Sequence, residues 1–148
     1  MPESLTYTQD KFTFTVAGGR CYNAAGVWAK AEGDLVTVGV SDFFQQNKGD
    51  VAFADVSEAG TAVTAGDEFA NIETIKADVA LPAPVSGIIT AVNERLEMEA
   101  EIINQDPYGA GWLAKFAASD WPAASAALMT PEQYLAHMKE QAQAEGGL

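Results

Sequence analysis

The alternation of apolar and polar positions divides this chain into many short segments. Phe12, Phe14 and Val16 alternate with Thr13 and Thr15, a period of two that predicts a strand with one buried face. Ala17-Gly18-Gly19 then breaks it. Residues 27–30 and Leu35–Val40 read as a hairpin turned at Gly33-Asp34. Ser41-Asp42 offers an N-cap for a short helix over residues 43–47, and Gly49 can end it. Further strands are predicted at Val51–Val56, residues 69–74 and Gly87–Val92, with Gly60 and Gly66-Asp67 as punctuation. Strands this short and this evenly spaced predict a sandwich or flattened barrel. Gly66-Asp67 and Ser86-Gly87 lie about ten residues either side of Lys76, which hints at two quasi-equivalent halves meeting there.

The last part reads as helical. Trp121-Pro122 marks a boundary before a short helical piece over residues 123–129. Thr130-Pro131-Glu132-Gln133 is a capping box with proline at the first helical position, so a helix is expected over Pro131–Ala144, closed by Gly146-Gly147. The organisation expected is an N-terminal extension (1–20), a β-rich body (21–129) and a C-terminal helix within 130–148 that packs on the same body.

Composition narrows the function. A length of 148 residues with 48% apolar content suits one domain with a real core. Twenty-one acidic residues against eight basic ones give a net charge of −13. That excludes nucleic acid and anionic membrane surfaces as partners and favours docking on basic patches of other proteins. The start, Met1-Pro2-Glu3-Ser4, has no basic-then-apolar signal pattern, and no apolar run is long enough to span a bilayer, so the cytoplasm is the expected compartment. With Cys21 the only cysteine, no intrachain disulfide can form. With His137 the only histidine, in what reads as a solvated helix, neither an ordinary metal site nor a catalytic triad can be assembled. No Walker loop or GxGxxG occurs. No catalytic and no metal-binding residue is expected, and the chain reads as a protein that is not an enzyme.

Attention falls on Ile72-Glu73-Thr74-Ile75-Lys76-Ala77-Asp78. A strand enters, Lys76 sits on a tight turn with carboxylates three before and two after it, and the chain returns through Val79 to Pro84. Pro82 and Pro84 limit further pairing on that side. On spacing alone, a lysine there is ordinarily a solvated charge. Yet of the six lysines, no other sits between two strand-like runs in this way.

Glu73-Thr74-Ile75-Lys76-Ala77 resembles the Glu-Ser-Val-Lys-Ala lipoylation site of the glycine cleavage system H protein family. The match continues in register. Tyr22 and Trp28 fit the family's early Tyr…Trp segment. Val36-Thr37-Val38-Gly39-Val40-Ser41-Asp42 fits its Val-Thr-Val-Gly-Ile-Thr-Asp, and Gly49-Asp50-Val51 and Glu58-Ala59-Gly60 follow. Ala83-Pro84-Val85-Ser86-Gly87 ends the return strand, and residues 104–113, Asn-Gln-Asp-Pro-Tyr-Gly-Ala-Gly-Trp-Leu, resemble the family's most recognisable stretch. The resemblance covers roughly residues 22–135. It implies a mainly β fold, a lipoyl-domain or hammerhead-like β-sandwich (barrel-sandwich hybrid) with short helices and a C-terminal helix. It also implies lipoate bound covalently to Lys76, with Glu73, Ala77 and Asp78 as recognition residues around it. Implied partners are lipoate ligase or lipoate-assembly enzymes, dihydrolipoamide dehydrogenase, and the enzymes that use the arm. Lysine suits the task, because its four-carbon stem carries a primary amine that can be acylated.

The other notable residues read as structural. Trp28 and Trp112 are expected in the core, Pro107-Tyr108-Gly109 in a turn, and Cys21 as a passive small residue. Departures from the family pattern fall near Lys76. Gly26 stands where a histidine is usual, Val79 and Ala80 replace a serine and an acidic residue, and Pro82 replaces a tyrosine. With these departures and its acidic surface the chain resembles a branch of the family, the lipoate-binding proteins of bacterial sulfur oxidation, which implies an arm that serves a heterodisulfide-reductase-like complex. The alternative is a glycine cleavage H protein carrying the aminomethyl group between glycine decarboxylase and aminomethyltransferase, and a remoter one is a non-lipoylated binding module.

Overall fold

The computed structural model describes residues 4–144. Its elements run β1 (Leu5–Gln9), β2 (Phe12–Val16), β3 (Cys21–Tyr22), β4 (Val27–Glu32), β5 (Leu35–Val40), α1 (Asp42–Lys48), β6 (Val51–Val56), β7 (Ala62–Val63), β8 (Glu68–Thr74), β9 (Asp78–Pro82) and β10 (Gly87–Val92). A 3-10 turn (Glu94–Glu97), α2 (Ile102–Gln105), β11 (Ala114–Ala118), α3 (Trp121–Ala127) and α4 (Pro131–Ala144) follow. Strands form three sheets: β1-β2, a six-stranded sheet in the order β3-β4-β5-β11-β10-β7, and a three-stranded sheet in the order β6-β8-β9. None of these closes into a barrel, so of the two expected architectures the sandwich is realised.

The six-stranded and three-stranded sheets share the main core. Val36, Val38, Ile89 and Phe116 from the first lie in one buried cluster with Phe69, Ile72 and Leu81 from the second. Phe69 meets Phe116 edge-on with centroids 5.7 Å apart. Each such side chain contributes roughly 1.5–3 kcal/mol by leaving water. A second cluster sits on the opposite face of the six-stranded sheet and contains Trp28, Tyr22, Phe14, Phe43, Tyr134 and Met138. Its parts come from distant segments, the β1-β2 hairpin, α1 and α4.

Several local expectations are realised. β4 and β5 pair from Val27↔Val40 to Glu32↔Leu35, which leaves Gly33-Asp34 as the two-residue turn. Ser41 caps α1 by accepting from the Phe44 N–H, and Gly49, at φ 88°, ends it. The α4 capping box is reciprocal. The Thr130 N–H donates to Gln133 Oε1 at 2.9 Å and the Gln133 N–H donates to Thr130 Oγ1 at 3.1 Å. Gly146-Gly147, expected to close that helix, lie outside the described residues.

Other expectations change. Strand β11, central in the six-stranded sheet, has no counterpart in the sequence reading. The short helix begins at Trp121, capped by Asp120, so Trp121-Pro122 form its first turn and not a boundary before it. Helix α4 is not solvated all round, since Tyr134, Met138 and Ala142 are buried along one stripe. Trp28 is a core residue, whereas Trp112 is only partly buried, with the Lys115 ammonium over its ring. The Gly66 N–H donates to the Ala83 carbonyl and the Ala65 N–H to Ser86 Oγ, which brings Gly66-Asp67 and Ser86-Gly87 together. Among the described residues no helix is long and apolar enough to cross a membrane.

Candidate functional site

β8 and β9 are antiparallel neighbours paired from Glu68↔Pro82 to Glu73↔Asp78, so residues 74–77 make the tip of their hairpin. Thr74 organises that tip. Its N–H donates to the Ala77 carbonyl at 2.7 Å, and its hydroxyl oxygen accepts from the N–H groups of Lys76 at 3.2 Å and Ala77 at 3.0 Å. The same hydroxyl donates to the Lys48 carbonyl at 2.7 Å, tying the tip to the end of α1. The Ile75 N–H donates to the Asp50 carbonyl at 3.1 Å, a second tie. Asn104 braces the base from a third direction. Its Oδ1 accepts from the Val51 N–H, and its Nδ2 donates to Gln45 Oε1 and the Gly49 carbonyl.

Lys76 is exposed on this tip, and its Nζ makes only a long 3.5 Å contact with the Asn47 carbonyl. An amine held outward on a fixed backbone can be acylated, and the acyl chain then carries the motion. Glu73 and Asp78 face each other across the hairpin and are exposed, and Asp78 accepts a hydrogen bond from Asn71 Nδ2. Ala77 closes the turn through its two backbone bonds to Thr74. The structure thus gathers Glu73, Lys76, Ala77 and Asp78 at one end of one hairpin.

Sequence reasoning missed the surroundings. A groove of about 200 Å³ opens beside the tip and is lined by Phe43, Phe44, Asn47, Lys48, Val79 and Tyr134 among others. These residues come from α1, β9 and α4, so no local signal joins them. A larger concavity runs along β6 and the 3-10 turn, but no residue of the tip lines it. A second hairpin also carries a lysine at its turn, Lys11 between β1 and β2. Thr74 could have been read from sequence, as threonine often hydrogen-bonds backbone two and three residues on.

Three of the departures near Lys76 have internal reasons, while the fourth, Ala80, is exposed on β9. Gly26 sits at φ +89°, and a Cβ there would meet the Tyr134 hydroxyl at 3.0 Å and Ser41 Oγ at 3.2 Å. Val79 pairs with Ile72 and lines the groove. Pro82 ends β9 opposite Glu68 and accepts from Asn23 Nδ2 at 3.0 Å. These are adjustments within the fold.

The remaining chemistry is sparse. Burial raises the Cys21 thiol above its ordinary range, which favours the protonated form. Among the described residues no group of three or more His, Cys, Asp or Glu side chains could hold a metal ion.

Comparison with known proteins agrees with this geometry. Residues 20–141 match the family model described as glycine cleavage H-protein. A glycine cleavage system H protein of Rubrobacter xylanophilus is 42% identical over 120 residues, covering 81% of this chain and 92% of its own length. One from Mycobacterium avium is 43% identical over 123 residues, covering 80% and 93%. The crystal structure of a glycine cleavage system H protein from Mycobacterium marinum superposes with a TM-score of 0.75 at 32% identity, covering 84% of this chain and 99% of that one. None of these names points to sulfur oxidation, so the glycine cleavage alternative fits them better than the partner expected from the departures near Lys76. The chain belongs to the glycine cleavage H-protein family, whose members carry lipoate covalently on a lysine and are carriers rather than catalysts.

Proposed function

We propose that Lys76 is the lipoylated residue and that the arm it bears carries the aminomethyl group of glycine cleavage from glycine decarboxylase to aminomethyltransferase, with dihydrolipoamide dehydrogenase reoxidising it. The observation that carries this reading is the tip itself. Lys76 stands exposed on a turn that Thr74 locks and that α1 and Asn104 brace.

The residues present fit the group. The Lys76 nitrogen, once deprotonated, adds to the carbonyl carbon of an activated lipoyl donor. The bond to the activating group breaks with its electron pair, and an amide forms. The attached group supplies a dithiol–disulfide couple able to take up and release a one-carbon amine. The chain then positions and shelters. The hairpin fixes the point of attachment, and the apolar wall formed by Phe43, Phe44 and Val79 offers a water-poor resting place beside it. Of the departures near Lys76 only Val79 lines this groove, and the mount itself is kept.

Intact-mass measurement and peptide mapping of protein from the native host test the site. A single lipoyl adduct on Lys76 is expected, and none on Lys76→Arg. An adduct that persists in that variant moves the site to another lysine, Lys11 being the first to inspect. The pathway is tested by supplying the loaded protein to glycine decarboxylase and aminomethyltransferase. Glycine turnover comparable to that with those enzymes' own carrier is expected, and failure to support it would remove this assignment.

A further inference from the structure

The outward face of the three-stranded sheet has a composition that folding does not require. Its inner face carries the core residues Ile72 and Leu81. Cross-strand register places Phe53, Glu73 and Asp78 in one row on the outer face, and Asp55, Asn71 and Ala80 in the next. Phe53 is 68% exposed and Ile75, beside Lys76, is 74% exposed. An aromatic and a branched apolar side chain therefore stand in water on either side of Glu73, leading up to the lysine. Among the described residues the single ion pair is Arg95–Glu99, so none of Asp55, Glu73 and Asp78 is paired with a cation there.

We infer that this face, anchored by Phe53, is the docking surface for the enzyme that acylates Lys76, and that this enzyme offers an apolar socket ringed by lysine or arginine. The inference rests on Lys76 being the attachment point. A buried aromatic anchor with a charged rim is the arrangement that concentrates binding energy at protein interfaces, and the three carboxylates of this face, none in an ion pair among the described residues, set the sign of the rim. Reach selects the acylating enzyme over the others. It must bring its reacting centre to Nζ itself, at the end of a four-carbon stem, and so must cover the tip and the sheet beside it. Enzymes that act on the far end of the attached group meet it a full acyl chain away from this face.

The test uses the full-length unlipoylated protein, a purified lipoate ligase with lipoate and ATP, and mass spectrometry to follow loading. Phe53→Ser should lower the second-order rate of loading about tenfold or more and weaken binding to the ligase by titration, while Phe53→Tyr stays near the native rate. Glu73→Gln combined with Asp78→Asn should lower the rate and flatten its decline with salt. Melting within a few degrees of the native protein checks that Phe53→Ser still folds. Phe53→Ser loaded to completion with excess ligase should then support glycine turnover at the native rate. If the native protein acquires no lipoate on Lys76, the carrier reading itself fails. If it loads normally and Phe53→Ser loads equally fast with the same salt dependence, the docking assignment alone is overturned. An equal loss in loading and in glycine turnover would also overturn it, by giving this face to the enzymes of the cycle.

Discussion

Thr74 Oγ1 accepts the backbone N–H of Lys76 at 3.2 Å, so the lysine's main chain is held by a side chain only two residues before it. The same oxygen serves Ala77 and the carbonyl of Lys48. Replacing Thr74 by valine keeps the shape and removes every one of these bonds. Thr74→Val is expected to cost about 1–2 kcal/mol and to slow lipoyl loading, while Thr74→Ser retains both. Urea titration and faster amide hydrogen exchange at Lys76 and Ala77 check it.

Gly26 is confined by conformation and by contact. At φ +89° a side chain is strained, and its Cβ would stand tight against the Tyr134 and Ser41 hydroxyls, at 3.0 and 3.2 Å. Gly26→Ala is expected to destabilise by about 1–3 kcal/mol, and Gly26→His by more. In a Tyr134→Phe background the steric part of the Gly26→Ala cost should shrink, giving a measurable departure from additivity.

The hairpin preceding the family match is part of the core. Phe14 is buried and meets Phe43 edge-on at 5.2 Å, and Tyr108 donates to the Thr15 carbonyl at 2.7 Å. Phe14→Ala is expected to lower stability by about 3–5 kcal/mol and to loosen α4, read as reduced helical protection in hydrogen exchange. Loss of less than about 1 kcal/mol would show that the hairpin is only loosely attached.

Alkaline stability should be limited by buried phenols. Burial raises Tyr22, Tyr108 and Tyr134 above the ordinary value of 10.0. The folded chain keeps them protonated where the unfolded chain would release them. Their stabilisation is complete below pH 10 and is lost as pH rises through the folded values. Each shielded tyrosine adds up to about 1.4 kcal/mol of loss per pH unit. Unfolding free energy measured between pH 9 and 12 should fall steadily above 10, less steeply in Tyr134→Phe.

What was legible in the sequence was local. The Gly33-Asp34 turn, the Ser41 cap and the Thr130–Gln133 box are fixed by neighbours within four residues, and each appears as expected. β11 was not legible, because Ala114-Lys115-Phe116-Ala117-Ala118 has little strand propensity; it is a strand because β5 and β10 bond to it from both sides. β1, with Leu5 and Tyr7 its only large apolar residues, is likewise held by β2 and by packing against α4. At the site, Lys76 was marked by its flanking residues. Its groove was not, since Phe43, Val79 and Tyr134 are far apart in sequence. The sulfur-oxidation expectation arose from reading Val79, Ala80 and Pro82 as partner-facing; Val79 lines the groove and Pro82 is bonded to Asn23, while Ala80 is exposed on β9.

Asn104 joins the Val51 N–H, the Gly49 carbonyl and Gln45 through one side chain. The entering foot of the hairpin assembly and the end of α1 are thereby one rigid block, and Thr74 fastens the tip to it. A visiting enzyme consequently does not have to search for the anchor point, whose coordinates in the protein's frame are set before any encounter. What remains to be searched is a volume swept by single-bond rotations in the side chain and whatever it bears. The delay between docking and capture is then a property of that tether, and evolution can tune the two separately.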